Sequence, residues 1–584
     1  MLAGKYSRTA ATNLQERCAG DWVLLLVEGE VSGEGGESEK KIQWNKNQRL
    51  AGIFPEAERD SLMQLIGSGG SGVQTDDGTL VFPVEGTKKK GESEKGGKTV
   101  SLLIYTSEDS SWTLSKGMSD GGCSDPSVVE WKDEKLIMMT ACDDGRRRVY
   151  EIGGKGESWT EALGTLSRVW SNKQGEGAKG VRSGFITATI DGDDKRNVML
   201  VTLPVYSKKE DGKKEKGELH LWLTDNTHIV DIGPVSDDDA AASSLLYKSA
   251  GSGDKKEEDD GELIALYEKK GGDDVTPHSL LTVTLNKQLE KVKEVLKAWK
   301  KVDERVSMLC PSSDVESTSP DNACSTTVKI TDGLVGFLSG NFSDGTWRDE
   351  YLGVNATVNS NEGVEQVKNG VTFKGRGAGA EWPIGKQGEN QLYHFANYNF
   401  TLVATVSIDK VPTEGNIPLL GVKMNDDGKT VLFGLSYENG GKWKLLCGGE
   451  NRKELSSTSE TTHHVVILLR NGSQGSAYVD GQHVGGGEAC ALENTDSEEI
   501  SHFYIGGDGK GTESREGVSV TVTNVLLYNR PLSSEEFGAL NPNKASIPIL
   551  EERQTAALDA RLTPASGPVA QQTVSLPTPA GPLL

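Results

Sequence analysis

Short apolar runs bounded by turn-forming residues are the feature that most constrains this chain. Between Trp22 and Leu285, such runs recur between breaks that are rich in glycine, lysine and aspartate. Representative runs are Thr79–Val84, Leu136–Met139, Asn197–Val201 and Leu263–Tyr267. Runs of this length with such boundaries are typical of strands in propellers and sandwiches. The first half of the chain is therefore predicted to be all-β.

The periodicity changes at Leu285. Apolar residues then follow a three-and-four spacing with charges between them, which predicts one apolar stripe along a helix of about six turns. The stripe consists of Leu285, Leu289, Val292, Leu296, Trp299, Val302, Val306 and Leu309. A stripe of this kind is more often a packing surface than a ligand site. We expect a connecting helix over 285–309, docked between two domains.

Strand-like runs return in the second half of the chain. They are rich in β-branched and aromatic residues, and Asn471–Gly472 and Asp480–Gly481 supply hairpin turns. The runs are Phe400–Val406, His464–Leu469 and Ser476–Val479. They predict a β-sandwich of the lectin or laminin-G type over 331–540, after a cysteine-bracketed loop at 310–330. Residues 541–584, rich in proline, alanine and threonine, are expected to be disordered.

Length and charge exclude some classes of function. A chain of 584 residues exceeds what one ordinary core supports, so at least two domains are expected. It carries 63 Lys and Arg against 86 Asp and Glu, a net charge of -23. Such an acidic surface repels phosphate backbones, and we therefore expect no nucleic-acid partner. The lysine clusters at 88–90 and 213–214 are interpreted as solvated loops.

The cysteines do not form a metal-binding pattern. The chain has seven, with no C-x-x-C pair and no histidine at zinc-finger distance, so no metal site is expected. Cys310 with Cys324, and Cys447 with Cys490, are candidate disulfides if the compartment is oxidising.

Four glycosylation sequons agree with secretion, at Asn341, Asn355, Asn399 and Asn471. The first eleven residues, however, contain no apolar segment, and the tail contains no hydrophobic anchor. We therefore expect neither a signal peptide nor an anchor signal in this chain, and no direct membrane insertion.

A glycine-rich stretch, Gly67–Gly72, fits the pattern G-x-G-x-x-G. A nucleotide site would need a strand before this loop and a helix N-terminus after it to receive the phosphates. Here Asp76–Gly78 and a strand-like run follow instead. No cofactor is expected.

Two tryptophan-bearing segments, at 107–112 and 153–159, resemble degenerate copies of the Asp-box, S-x-D-x-G-x-T-W. The Asp-box is a turn that repeats on the blades of sialidase propellers. Its role is structural, so the two copies indicate a propeller and say nothing of catalysis.

The segment Val520–Arg530 matches the signature VTVxNVxLYNR of the trypanosome trans-sialidase superfamily at every fixed position. Segments at 122–126, 147–151, 161–170, 221–226 and 393–397 resemble family segments in family order. The resemblance implies a six-bladed β-propeller of the sialidase type over 1–284, with its first blades missing. The long helix would join it to a concanavalin- or laminin-G-like β-sandwich.

The resemblance also implies that the catalytic positions have changed. Ala242 replaces the nucleophilic tyrosine, and Asp125 replaces the glutamate that activates it. Ala141 and Lys216 replace two of the three arginines that bind the sialate carboxylate. Alanine cannot form a covalent intermediate, and lysine lacks the planar fork of a guanidinium. The third arginine and the acid/base aspartate are expected in blades that precede Met1. Ala10 and Ala11 stand where the resemblance places the aromatic pair that binds the acceptor sugar.

We therefore interpret the chain as a pseudoenzyme of the sialidase family, with no enzymatic activity. The resemblance implies a glycoprotein that is secreted or located at the cell surface. It also implies that the protein adheres to host proteins and glycans of the cell surface, the cytoskeleton or the extracellular matrix. Its candidate binding residues are Val520, Thr521, Val522, Asn524, Val525, Leu527, Tyr528, Asn529 and Arg530. The apolar members of this set also suit the last strand of the sandwich.

Three alternatives stay open. The chain could be a sialic-acid-binding lectin that does not hydrolyse its ligand, or it could retain exo-α-sialidase or trans-sialidase activity. It could also be a truncated copy without a stable fold, because an open propeller exposes strand edges that closure normally removes.

Overall fold

The structure is a computed structural model that describes residues 1–5, 23–32, 41–50, 62–88, 97–106, 111–172, 180–190, 196–206, 216–249, 261–271, 278–308, 329–359, 363–375, 377–385, 390–411, 416–426, 428–438, 440–448, 451–456, 462–487, 489–492, 499–509, 518–540 and 572–573. The predicted Cys310–Cys324 pair, residues 7–11, the first four residues of the Asp-box at 107–112, and the tail apart from 572–573 lie outside these ranges.

Within the described residues, the strands before the helix form four antiparallel sheets. The first contains β1 (Leu2–Lys5), β2 (Val23–Ser32) and β3 (Lys41–Arg49). The second contains β4 (Leu62–Gly67), β5 (Val73–Gln74), β6 (Leu80–Lys88), β7 (Lys98–Thr106) and β8 (Trp112–Leu114). The third contains β9 (Cys123–Glu130), β10 (Leu136–Cys142), β11 (Arg147–Gly153) and β12 (Ser158–Glu161).

The fourth sheet has seven strands, six of them consecutive. They are β13 (Gly184–Ile190), β14 (Arg196–Tyr206), β15 (Gly217–Thr224), β16 (Ile229–Lys248), β17 (Glu262–Lys269) and β18 (Ser279–Thr284), with β36 (Gln572–Thr573) paired to β18. The 20-residue β16 pairs with β15 through its first part and with β17 through its second. The resemblance implied a six-bladed propeller with its first blades missing. The described residues show a sialidase-like propeller of four blades, so the number six is not confirmed.

Burial explains why these segments form stacked sheets. Every residue of β10 is buried, because neighbouring sheets cover both of its faces. The Asp-box at 153–159 forms the β11–β12 turn although it lacks the serine and aspartate of the motif. Its Lys155 and Gly156 adopt positive φ, and the Trp159 indole donates a hydrogen bond to the Gly156 carbonyl (3.2 Å).

One 22-residue helix follows, α1 (Asn286–Ser307). Its buried side chains form the stripe that the spacing predicts, and Leu285 is buried immediately before its first turn. The helix packs against β16 and β17. The Trp299 indole donates to the Tyr351 carbonyl (2.8 Å), which attaches the helix to the second domain.

The strands between α1 and Tyr528 close into one continuous sheet around an apolar core. They are β19 (Leu334–Ser343), β20 (Thr346–Asp349), β21 (Ala356–Val358), β22 (Val364–Val367), β23 (Gly370–Lys374), β24 (Ala380–Pro383), β25 (Asn399–Lys410), β26 (Asn416–Met424), β27 (Val431–Glu438), β28 (Lys442–Cys447), β29 (Asn451–Ser456), β30 (His463–Asn471), β31 (Gln474–Val479), β32 (Gln482–His483), β33 (Cys490–Ala491), β34 (Ile500–Ile505) and β35 (Ser519–Tyr528). A short helix, α2 (Ser534–Ala539), follows β35.

The hairpin turns of this domain lie where the sequence predicts them. β30 and β31 are joined through Gly472, and Asp480 and Gly481, both at positive φ, join β31 to β32. Single-turn 3-10 helices occur at Gly154–Gly156 and His394–Asn397. A shared hydrophobic cluster contains side chains of the fourth sheet, of α1 and of the sandwich, so the two domains and the helix pack against one core.

Candidate functional site

A pocket of about 210 Å³ lies between the second, third and fourth sheets, and Ala242 forms part of its wall. Ala242 lies within a register shift between Ala240 and Ser243, where β16 departs from regular pairing with β17. Bulges of this kind re-aim side chains and are common beside active sites. Ser243 fixes the strand here, because its N–H donates to the Arg182 carbonyl (3.1 Å) and its hydroxyl accepts from the Gly184 N–H (3.2 Å).

Asp125, on β9, lies beside Arg182 of the pocket wall. Its backbone has a φ of 52°, and its N–H donates to Glu85 Oε1 (2.9 Å). Its carboxylate lies 3.6 Å from the guanidinium of Arg182, which lines the pocket. Burial raises the pKa of Glu85 above its usual range. A disulfide between Cys123 and Cys142 holds β9 and β10 together beside Asp125.

Ala141 is buried where the resemblance places an arginine. A Cβ added to Gly180 would lie 2.4 Å from the Ala141 Cβ, so the 180–183 segment passes directly over this position. Nearby, the fully buried Arg147 donates to the Val181 carbonyl (2.8 Å). Burial lowers the pKa of Arg147. Gly180 therefore covers the methyl group of Ala141.

Lys216 lies apart from these residues. It precedes β15, it is half-buried, and it does not belong to the pocket lining in the described part of the chain. Its charge acts on Asp238. Burial raises the pKa of Asp238, but hydrogen bonds from Lys269 and Tyr267 outweigh burial, so the net pKa falls below its usual range. Of the four substituted positions, Ala242 lines the pocket and Asp125 lies beside Arg182 of its wall, whereas Ala141 packs against Gly180 and Lys216 lies apart.

Sequence reasoning missed three features of this pocket: Arg182, Glu85 and the Cys123–Cys142 disulfide. Arg182 and Glu85 stand in segments without a motif. The disulfide had one signal, since Cys123 and Cys142 flank the two segments that contain Asp125 and Ala141. The glycine-rich stretch contributes Gly69 and Ser71 to the lining and continues into β5 and not into a helix, so it is not a phosphate-binding loop.

The signature segment forms β35, a strand without a free edge. β25 pairs with one side of it, and β23 and β19 pair with the other. Most of its candidate binding residues are fully buried: Val520, Val522, Val525, Leu527 and Tyr528. The half-buried ones are Thr521, Asn524, Asn529 and Arg530. In the folded protein, a partner can reach only this second group.

The end of the signature segment joins the two domains. The Asn529 side-chain amide donates to the Gly164 carbonyl of the propeller (3.0 Å), and the Tyr528 hydroxyl donates to the Ile330 carbonyl (2.9 Å). Arg530 forms two hydrogen bonds to Glu536 in α2. These contacts give the segment a structural role at the domain junction.

Asn529→Ala is expected to lower the free energy of unfolding by about 1 kcal/mol, because it removes the hydrogen bond that Asn529 donates to the Gly164 carbonyl. Urea denaturation of the full chain measures this. Asn359→Ala is the matched control, because this exposed amide bonds only to Glu381 among the contacts of the described residues. Equal losses in the two variants would contradict the role of Asn529 at the junction.

A buried polar network occupies the same junction. The His228 ring stacks on Tyr351, with ring centroids 4.3 Å apart, and also contacts Trp299. The Asp349 carboxylate accepts hydrogen bonds from the N–H groups of Phe337 (2.8 Å) and Gly353 (3.0 Å). Burial raises the pKa of Asp349 to about 7, although these N–H donors oppose the shift.

Asp349 therefore makes stability depend on pH. Its folded pKa of about 7 lies above the unfolded value of about 4. Its contribution is fully present below pH 4 or so and is lost as the pH rises through about 7. Asp349→Asn is expected to flatten the change in the free energy of unfolding between pH 5 and pH 8, measured by urea denaturation. An unchanged pH dependence would show that Asp349 does not titrate in this range.

The remaining candidate residues lie in the sandwich. Cys447 and Cys490 form a disulfide between β28 and β33. Asn471 is exposed, and Asn341 is half-buried. The side-chain oxygens of Asn355 and Asn399 accept hydrogen bonds from the N–H groups of Asp349 and Gly472. Within the described ranges, no helix is long and apolar enough to span a membrane, and no group of His, Cys, Asp or Glu is arranged to hold a metal.

Two family models match the chain. Residues 1–268 match the BNR repeat-like domain, and residues 330–535 match the C-terminal domain of trans-sialidases. A sialidase of Trypanosoma cruzi is 34% identical over 92% of this chain and 44% of its own length. Sialidase 85-1.1 of the same organism is 33% identical over 91% of this chain and 66% of its own length. The chain thus spans less than two thirds of each of these curated relatives.

A solved structure gives a similar result. Trypanosoma rangeli sialidase in complex with 2,3-difluorosialic acid, described as a covalent intermediate, is 36% identical to this chain. The match covers 92% of this chain and 81% of that one, with a TM-score of 0.77. Because the family models and the aligned structure together cover both domains, the chain belongs to the trans-sialidase superfamily.

Proposed function

We propose that this protein is a catalytically inactive trans-sialidase-like surface glycoprotein that acts in adhesion to host cells or matrix. The observation that carries the proposal is Ala242 in the pocket wall, where the resemblance places the nucleophilic tyrosine. A covalent glycosyl intermediate requires a nucleophilic atom, and a methyl group provides none.

The surroundings of the pocket support inactivity. Gly180 covers Ala141, so no guanidinium reaches the pocket from that position. Arg182 lines the pocket, but its charge is opposed by Asp125 at 3.6 Å and by nearby Glu85. A sialate carboxylate is held by several converging guanidinium groups, and among the described lining residues only Arg182 carries one.

One observation favours a second candidate function. The pocket persists with a volume of about 210 Å³ and retains Arg182 in its wall, so a sialic-acid-binding lectin without hydrolysis is the alternative. The lectin function ranks second, because Arg182 is paired with Asp125 and would have to do the work of the three arginines that bind the sialate carboxylate in the resemblance.

Binding of the full chain to host cells, with and without prior neuraminidase treatment of the cells, tests the proposal. We expect equal binding to both, since the proposed adhesion does not use sialic acid. Binding that disappears after neuraminidase treatment would support the lectin instead. Absence of binding to either would remove the adhesive function.

A further inference from the structure

The pocket beside Ala242 opens onto an exposed apolar sheet face, which we call the leucine face. It consists of Leu246 on β16, Leu266 on β17 and Leu280 on β18, with exposed fractions of 63%, 42% and 39%. Leu266 and Leu280 also line the pocket. Exposed aliphatic residues that adjoin one another and a cavity mark an interaction surface more often than scattered ones do.

The charges at the pocket do not suit an anion. The charges around the pocket are mostly negative, because Glu268 lies in its lining and the carboxylates of Asp125 and Glu85 lie beside Arg182, which is also in the lining. Glu268 also accepts a hydrogen bond from His278 (2.7 Å). The excess of negative charge disfavours a carboxylate ligand and favours a cationic one.

The size of the pocket limits what can enter it. A volume of about 210 Å³ is smaller than drug-sized pockets and suits a single side chain.

We propose that the pocket and the leucine face bind an extended peptide segment of a partner protein, with a bulky aliphatic side chain in the pocket and basic residues beside it. The aliphatic side chain replaces water against Leu266 and Leu280. The basic residues of the partner lie beside Glu268 and Asp125. This inference rests on the proposed adhesive function and names the chemistry of its partner.

Fluorescence anisotropy of the full chain with three labelled pentapeptides tests the inference. Each peptide has a central leucine, which is flanked by lysines, by serines or by glutamates. We expect affinity to fall in that order and to show no competition from 3′-sialyllactose. Leu266→Asp is expected to weaken binding of the lysine-flanked peptide about tenfold. Ile42→Asp, a similarly exposed aliphatic residue on β3, is the matched control and should bind normally.

Several outcomes would overturn the inference. They are absence of binding by the lysine-flanked peptide, equal binding of the glutamate-flanked one, competition by 3′-sialyllactose, and equal losses in the two variants. The melting temperatures of both variants show whether each is folded. Failure of this inference is distinguishable from failure of the proposed function. If the chain binds host cells but not the peptides, and if Leu266→Asp does not weaken its binding to host cells, then adhesion occurs through another surface.

Discussion

The purified full chain is expected to release no sialic acid from a fluorogenic sialoside above the background of a heat-denatured control. Loss of a single catalytic residue typically lowers the rate by about 10³-fold to 10⁶-fold. In the proposed assignment, Ala242 stands at the position of the nucleophile, and Ala141 stands at the position of one arginine of the carboxylate clamp. The sialidase of Trypanosoma rangeli, similar in structure, is the positive control.

Ala242→Tyr extends this experiment. Restoring the tyrosine alone is expected to leave the rate at background, because Gly180 still covers Ala141 and Asp125 still opposes Arg182. Measurable turnover by this variant would show that the rest of the site is competent and that Ala242 alone accounts for inactivity. Turnover by the unmodified chain would remove the pseudoenzyme interpretation altogether.

Trp299→Ala is expected to have the largest effect on stability, lowering the free energy of unfolding by about 3–5 kcal/mol. The side chain is fully buried, contacts the His228 ring at 4.8 Å and donates to the Tyr351 carbonyl at 2.8 Å. Truncation therefore leaves both a cavity and an unpaired carbonyl where the helix meets the sandwich.

Denaturation of the full chain in urea, followed by circular dichroism, measures this loss. Trp44→Ala is the matched control, because Trp44 is 51% exposed on β3 and its removal is expected to change stability by less than about 1 kcal/mol. Equal losses in the two variants would mean that α1 does not connect the domains energetically.

The burial of β35 changes how the signature segment can be tested. A free peptide of residues 520–530 exposes Val520, Val522 and Leu527, which the folded protein hides. Competition by such a peptide would therefore not prove that the folded protein binds through this strand. Substitution of Thr521, whose side chain is half-buried, tests the folded protein directly.

Much of the fold follows from local sequence patterns. The three-and-four spacing of apolar residues fixed α1, since an amphipathic helix must bury its stripe. Asp480 and Gly481 predicted a hairpin turn, because aspartate and glycine tolerate the positive φ that this turn requires. Local patterns did not determine the number of blades, because a degenerate Asp-box indicates a turn but not how many sheets the propeller contains.

The sequence by itself determined the all-β class of fold, the position of the helix and the family, all of which depend on local spacing or on a matched motif. It also supplied the proposal that Asp125, Ala141, Lys216 and Ala242 stand at former catalytic positions. Only the tertiary structure decided which of these residues meet. Three contacts join residues that are distant in sequence or lack a motif: Gly180 with Ala141, Arg182 with Asp125, and Asn529 with Gly164. Such contacts depend on how sheets stack, and chain periodicity carries no information about that.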